Sequence, residues 1–595
     1  RQLFVPLSLA VGFAMISSYL LSSTLVPVLS TWVLRAGHSG EARFFEKLRS
    51  SYRGRLESAL RLRWLVVGGY VLATLIVIAI LFPRIGTEIF PKVETKQIQL
   101  RLRAPTGTRL ERTELIELKA MDVIKDLVGP KNVEITTGFI GVQTPNYPIN
   151  TIYLFASGQH EAVIGVSLKP SAPPVTEELK EQLRHELKKA LPDVAVSFEA
   201  ADIISQVMSF GSPTPIEVAV QGPQLAASRA FAEKVRAELL KIDALRDLQY
   251  AQPLDYPSLQ IQINRDRAGQ FGVTPSDVAR SLVAATSSSR YTDLNFWRDP
   301  GSGNGFQIQV EIPQAKMASI EDIADLPVMS RTAAGGLGRP LVADVATVDY
   351  GTTPGEVDRY NMQRVVSFTA NIHEKPLGAV VADIRQAIAR AGTPPRGVTV
   401  FNRGQVPAFE ETLAGLRSGL LLSIVVIFLL LAANFQSFRI AFTVVSTVPA
   451  VICGVLLMLL VTGTTLNVQS FMGAIMAIGI SVANAILLVT FAEHARRDGA
   501  SVHDAAIEGG RGRLRAILMT ATAMIAGMIP LALGTGERAQ TAPLGRAVIG
   551  GLFMATLATL IVLPAVYTLV QSRVRTLSPT LDPDDPASTH YEPRK

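Results

Sequence analysis

Seven runs of this chain are long and apolar enough to cross a bilayer as helices, and the stretch from residue 84 to residue 411 contains none. Lipid cannot satisfy a backbone N–H or C=O, so a span must be a helix of roughly 20 apolar residues or part of a closed barrel. The runs lie at residues 3–34, 64–82, 416–433, 441–462, 468–492, 516–534 and 547–570. Two spans, a long water-exposed part and five further spans are therefore the expected order. Only 18% of the residues are charged, low for a soluble chain of this size.

Charge sorts the loops. Residues 35–63 carry eight Lys/Arg against three acids. Phe45, Leu48, Tyr52, Leu56 and Leu60 repeat there at helical spacing, as in a basic amphipathic helix on a membrane surface. Basic loops stay in the cytoplasm. This places residues 35–63, the Arg439 loop and residues 493–515 inside, and the long soluble part outside. The net charge of +7 sits largely in such loops and does not point to nucleic acid. Cys453 is the single cysteine and lies in an apolar run, which excludes a disulfide framework and a thiolate metal site. The seven histidines are scattered, so no metal site and no cofactor are expected. The chain opens on Arg1 and enters a span at once, which reads as a start within a longer protein. Residues 572–595, basic and then rich in Pro, Asp and Ser, are expected to form a disordered cytoplasmic tail.

The soluble part repeats. Residues 97–103 alternate as a strand, 108–127 read as a helix, 133–140 and 163–168 as strands, 176–191 as a helix and 195–198 as a strand. That is β-α-β-β-α-β, the ferredoxin-like order. Residues 216–221, 225–242 and 245–251 give one more β-α-β unit, and 365–372, 377–390 and 398–401 give its second half. Residues 253–348 are inserted between them, with strands at 259–263 and 306–312, a helix at 275–285 and a Gly/Ser-rich turn at 300–305. The expected units are a span at 1–34, the amphipathic helix at 35–63 and a span at 64–83. One subdomain follows at 84–211 and a second at 212–252 with 349–411. The inserted α+β module occupies 253–348 and a five-span bundle occupies 412–571.

The span at 467–491 holds Ser481 and Asn484, with no charge before Glu493. A polar group at membrane depth is costly and marks function by default. Helix packing is the competing reading, because Gly473, Ala477, Gly479, Ser481 and Ala485 are small and Asn484 can bond across an interface.

Four motifs stand in order along this layout: FVPLSLAVGFAMISSYLLSSTLVPVLS from Phe4, SVANAIL from Ser481, RLRAILMTATAMIAGMIPLALGTG from Arg513 and GRAVIGGLFMATLATLIVLPAVY from Gly545. With the duplicated soluble region, the chain resembles the C-terminal half of an RND-family (resistance-nodulation-division) efflux permease. The resemblance implies an α-helical polytopic bundle of twelve spans in the intact permease, of which this chain holds the sixth to the twelfth. It implies two ferredoxin-like porter subdomains enclosing a substrate cleft, and an inserted funnel module. That module would meet an outer-membrane duct through a periplasmic adaptor. It further implies a homotrimer in the bacterial inner membrane, completed by an N-terminal half, that exports small molecules by proton antiport.

The family's relay uses carboxylates on the fourth span, outside this chain, a lysine on the tenth, and an arginine and a threonine on the eleventh. Arg513 and Thr520 match the eleventh-span positions. The lysine position falls on Ala483, so Asn484 and Ser481 become candidates to order water or bond a carboxylic acid. The plain readings are a positive-inside anchor for Arg513 and a hydroxyl bonded to its own helix for Thr520. For the cleft, Phe139, Phe198, Met208 and Phe210 are candidate wall residues. Metal-exporting members line the cleft with soft thioethers. Of Met121, Met208, Met317, Met329 and Met362, only Met208 precedes a porter strand. Amphiphilic organic compounds are therefore the expected cargo, with heavy-metal ions or a non-transporting assembly role as alternatives. No phosphate loop, GxSxG or HExxH motif points to an enzyme.

In a Cys453→Ser background, Ser302→Cys should react with a membrane-impermeant thiol reagent in intact spheroplasts and Ser50→Cys should not. The opposite pattern would invert the topology.

Overall fold

The computed structural model describes residues 4–33, 43–91, 95–142, 154–209, 211–313, 316–329, 339–534, 539–572 and 588. The expected tail lies almost wholly outside them. Helices α1 (Phe4–Val33) and α3 (Arg63–Arg84) are apolar spans, and α2 (Arg43–Arg61) stands between them in the chain.

The first sheet follows. It contains β1 (Gln97–Arg103), α4 (Leu110–Val128), β2 (Val133–Ile140), β3 (Glu161–Leu168), α5 (Glu177–Ala190) and β4 (Ala195–Glu199). Its antiparallel order is β2-β3-β1-β4. Alternate residues of each strand face one side. On that side Leu100, Leu102 and Ile164 bury against Ile124 of α4 and Leu183 and Leu187 of α5. A short helix, α6 (Ile203–Met208), leads out.

The second sheet contains β5 (Ile216–Gln221), α7 (Leu225–Leu239) and β6 (Leu245–Tyr250) before the chain leaves it. The excursion holds β7 (Tyr256–Ile263), α8 (Arg265–Gln270), α9 (Pro275–Thr286), β8 (Asn295–Arg298), β9 (Gly305–Ile308), α10 (Ile320–Ala324), α11 (Val342–Val345) and β10 (Ala346–Thr353). β7 and β10 pair antiparallel from Ile263↔Ala346 to Tyr256↔Thr353, so the chain leaves and returns at neighbouring points. The strand expected at 306–312 stops at Ile308, because its partner β8 has four residues and the ladder ends at Asn295↔Ile308. β11 (Asp358–Tyr360), β12 (Gln363–Ile372), α12 (Leu377–Arg390) and β13 (Thr399–Gly404) complete the sheet. β6 pairs with β12, β12 with β5 and β5 with β13, the same order as in the first sheet.

β13 ends on Gly404, and α13 (Gln405–Phe435) starts on the next residue. Gly404 has φ +72°, and a Cβ there would sit 2.5 Å from the Pro215 carbonyl oxygen. Glycine supplies this turn without strain. The helix thus begins eleven residues before the apolar run expected at 416, because Gln405–Gly415 forms helix outside the apolar stretch.

The remaining helices are α14 (Phe438–Val445), α15 (Val448–Val461), α16 (Val468–Arg497), α17 (Val502–Ala532), α18 (Ala542–Leu557) and α19 (Leu563–Gln571). The loop expected at 493–515 is mostly helical, since α16 runs to Arg497 and α17 starts at Val502. The break between α14 and α15 is bridged by Tyr70, whose hydroxyl donates to the Ser446 carbonyl (2.8 Å) and accepts from Ala450 N–H (3.0 Å). A π-helical turn, Ala558–Val562, joins α18 to α19. Pro564 has no N–H to give Leu560, four residues back. The Tyr52 hydroxyl donates to that Leu560 carbonyl instead (2.7 Å).

α18 packs against α15, α16 and α17. A Cβ on Gly550 would lie 2.4 Å from the Gly454 carbonyl oxygen, and one on Gly454 would lie 2.2 Å from that of Gly550. Gly550→Val should cost about 1–3 kcal/mol from overpacking, or more if the helices must part. A thermal midpoint in detergent equal to that of the wild type would show that α15 and α18 can separate freely.

Candidate functional site

Two polar regions are candidates, one between membrane helices and one between the two sheets. In the membrane, Asn484 of α16 is buried, and the Thr520 hydroxyl of α17 donates to its Oδ1 at 3.3 Å. The same hydroxyl lies 3.0 Å from the Ala516 carbonyl and 3.1 Å from that of Ile517. One hydroxyl proton serves three acceptors, so the interhelical bond competes with the intrahelical one. Ser481 turns elsewhere and donates to the Thr447 hydroxyl at 3.2 Å. Arg513 stacks its guanidinium 3.8 Å over the Phe491 ring. About 10 Å of helix rise separates it from Thr520. Of the four expected relay residues, the fold brings together Asn484 and Thr520, not Ser481 or Arg513.

A further buried charge lies where a loop was expected. Glu493 is 5% exposed, and the Tyr567 hydroxyl donates to its Oε1 at 2.6 Å. Arg496 lies 3.4 Å from the same oxygen. The one signal for it in the sequence is its place as the first charge after a long charge-free run. At the opposite end of the bundle, Arg546 donates to Thr464 Oγ1 (2.6 Å) and to the Ala532 carbonyl (3.0 Å).

The cleft between the sheets occupies about 220 Å³. Its walls include Gln97 and Gln99 of β1, Phe198 and Glu199 of β4, Asp202, Met208 of α6 and Asn371 of β12. Phe198 and Met208 therefore line it, with Phe198 largely sunk in the first sheet's core. Phe139 does not line it: it sits on β2, two strands from β1, opposite Val163. Phe210 lies outside the described residues. Arg184 clamps Asp247 with two bonds of 2.9 Å, and Asp247 also accepts from Asn371 at 2.8 Å, tying α5 to β6 and β12.

A second recess of about 220 Å³ adjoins Glu199 on the same face of the first sheet, farther along β1 at Arg101 and Arg103. Arg101 reaches Glu199 (2.6 Å) and Glu161 (3.1 Å), and Arg103 reaches Glu161 (2.6 Å). Arg103 also donates to the carbonyls of Tyr250 and Ala251, and so crosses to the second sheet. Burial pushes the Glu161 carboxyl up, but Arg103, Arg101 and Ser157 outweigh it and hold it below its ordinary value. Burial lowers His160, which is neutral at neutral pH and stands beside Tyr256 at 5.6 Å between ring centres. Burial, then Asp358 and Glu161, push Glu356 up to about 7.

The family model described as ACR_tran, the AcrB/AcrD/AcrF family, matches residues 1–571. The chain belongs to the AcrB/AcrD/AcrF family. Within this family of RND permeases, it is 27% identical over 589 residues to the nickel-cobalt-cadmium resistance protein NccA of Alcaligenes xylosoxydans xylosoxydans, covering 97% of this chain and 53% of that one. It is 27% identical to the nickel and cobalt resistance protein CnrA of Cupriavidus metallidurans, over 96% of this chain and 52% of that one. It is 25% identical to the swarming motility protein SwrC of Bacillus subtilis, again over 96% and 52%. The crystal structure of a heavy metal efflux pump matches with a TM-score of 0.79 and 24% identity, over 96% of this chain and 56% of that one, which shows the shared fold. The chain spans about half the length of the curated relatives it matches.

The raised Glu356 carries a pH signature. Between its ordinary value of 4.5 and about 7 the folded protein holds the extra proton. Its contribution to stability is therefore present below 4.5 and is lost as the pH rises through about 7. Glu356→Gln should flatten the fall in thermal midpoint over that window, measured in detergent against the wild type. An unchanged slope would place the titration elsewhere.

Proposed function

We propose that this chain is part of an RND permease that expels divalent metal ions from the cell in exchange for protons. Relatives that match it along nearly its whole length are named for resistance to nickel, cobalt and cadmium, and another for cobalt, zinc and cadmium. The lining of the cleft is the observation that carries the reading to this chain. Glu88, Glu177, Glu199 and Asp202 stand there against Lys180 and Arg184, with the amides of Gln97, Gln99 and Asn371 between them. Carboxylate and amide oxygens suit hard and borderline divalent cations. Apolar side chains line the cleft as well, Phe90, Ile98 and Leu377 among them, but four carboxylates against two cations leave an excess of negative charge that draws a cation. The metal reading therefore replaces the expected organic cargo. Among the described residues, no three His, Cys, Asp or Glu side chains gather as a metal cage. The cleft would guide a hydrated cation rather than hold a stripped one.

Asn484 and Thr520 would meet a titrating carboxylate from the half of the permease outside this chain. When that carboxyl is protonated it donates to Asn484 Oδ1; when it is ionised it accepts from the amide or the hydroxyl. The Thr520 proton, already shared with its own helix, can turn toward either state at little cost. Assembly as a homotrimer in the inner membrane, with the sheets in the periplasm facing an adaptor and an outer-membrane duct, belongs to the same proposal.

Cells carrying the intact permease should tolerate nickel, cobalt or cadmium better than cells lacking it, with no gain against amphiphilic dyes. The reverse pattern would sink the metal reading. Asn484→Leu and Thr520→Val should each reduce tolerance to the level of the deletion strain, with expression and assembly retained, since each replacement keeps the branching and heavy-atom count of the original side chain. Full tolerance in both variants would return these residues to helix packing.

A further inference from the structure

Helix α2 is anchored to the bundle, not merely laid along a surface. Tyr52 holds the Leu560 carbonyl, and Leu56 and Leu60 are buried in the membrane core cluster. In this position α2 turns a second face toward α17. Glu46, Lys47, Arg49, Ser50 and Arg53 line a concavity that Arg511 of α17 closes. Four of these six residues are cations and one is an acid. Arg53 binds Glu57 at 2.8 Å and Arg511 lies 3.7 Å from Glu508. Each guanidinium carries five N–H donors, so one carboxylate partner leaves several for another anion.

The surface changes character along α17. Arg515 and Met519 follow Arg511 at steps of four and so share its face. Arg515 sits 5.7 Å over the Phe45 ring, and Met519 is 60% exposed. Cationic surface gives way to apolar surface within about 12 Å of helix rise. A phosphate joined to acyl chains has the same profile.

We propose that the concavity between α2 and α17 binds the phosphate of an anionic phospholipid, whose chains run along α17 past Phe45 toward Met519. Basic clusters beside membrane helices attract anionic headgroups, and here the cations are held in one concave site. The lipid would fix α2 to α17 as well as to α19. This proposal is independent of the exported cargo.

Native mass spectrometry of the delipidated intact permease, titrated with phosphatidylglycerol or phosphatidylcholine, tests it. Phosphatidylglycerol adducts should survive at activation energies that strip phosphatidylcholine. The exposed pair Lys47→Ala/Arg53→Ala should weaken phosphatidylglycerol binding roughly thirtyfold. Lys47→Arg/Arg53→Lys should retain it, as should Arg55→Ala, which lies on the same helix outside the concavity. Thermal midpoints in neutral detergent check that each variant is folded. Equal retention of the two lipids, or undiminished binding by the double alanine variant, would overturn the proposal. Displacement of phosphatidylglycerol by an equal concentration of inorganic phosphate would overturn it too, by assigning the site to free phosphate.

Discussion

Lipid tails are as apolar as leucine, so burying apolar surface gives two membrane helices little reason to meet. What holds this bundle is close approach of backbones where side chains are absent. Gly454 and Gly550 bring α15 and α18 into direct contact, and Gly473 and Gly551 do the same for α16 and α18 through Ala547 and Ala477. α18 becomes the post around which α15, α16 and α17 stand. Asn484 and Thr520 face each other because α16 and α17 both lean on that post. The same need to satisfy backbone groups explains Tyr70 and Tyr52, each of which supplies a hydrogen bond that a helix break or a proline has removed.

The spans, their order and the duplicated sheets were legible in the sequence because each rests on a period that survives any context. An apolar run of bilayer length has few alternatives, and a β-α-β-β-α-β order with alternating strands leads to one sheet topology. Helix ends were less legible. Hydropathy marks where lipid begins, whereas backbone hydrogen bonding continues past it, which is why α13 starts at Gln405 and α16 runs on through Glu493 to Arg497. The Asn484–Thr520 pair was half legible. Polar side chains in apolar runs stand out, but which of them meet depends on helix rotation, and Ser481 and Asn484 are three residues apart on α16 yet find different partners.

The clefts were the least legible part. Their walls come from β1, β4, α5 and β12, far apart in the chain, and their character depends on which charges neutralise each other. Arg101, Arg103, Glu161 and Glu199 read as ordinary strand polarity until the sheet places them side by side. Met208 drew attention for its sulfur, while the oxygens around it outnumber it.

The Gly404 junction joins the second sheet to the membrane without slack. A flexible linker would let the sheets and the bundle move independently. Here the last peptide of β13 is followed at once by a helix of 31 residues, about 46 Å long. A lever of that length, pivoting near its membrane end, turns a tilt of a few degrees into a displacement of several ångströms at its far tip. Movement in the bundle would therefore arrive at β13 and β5 as a change in the width of the cleft, and load on the cleft would be felt among the helices by the same rod.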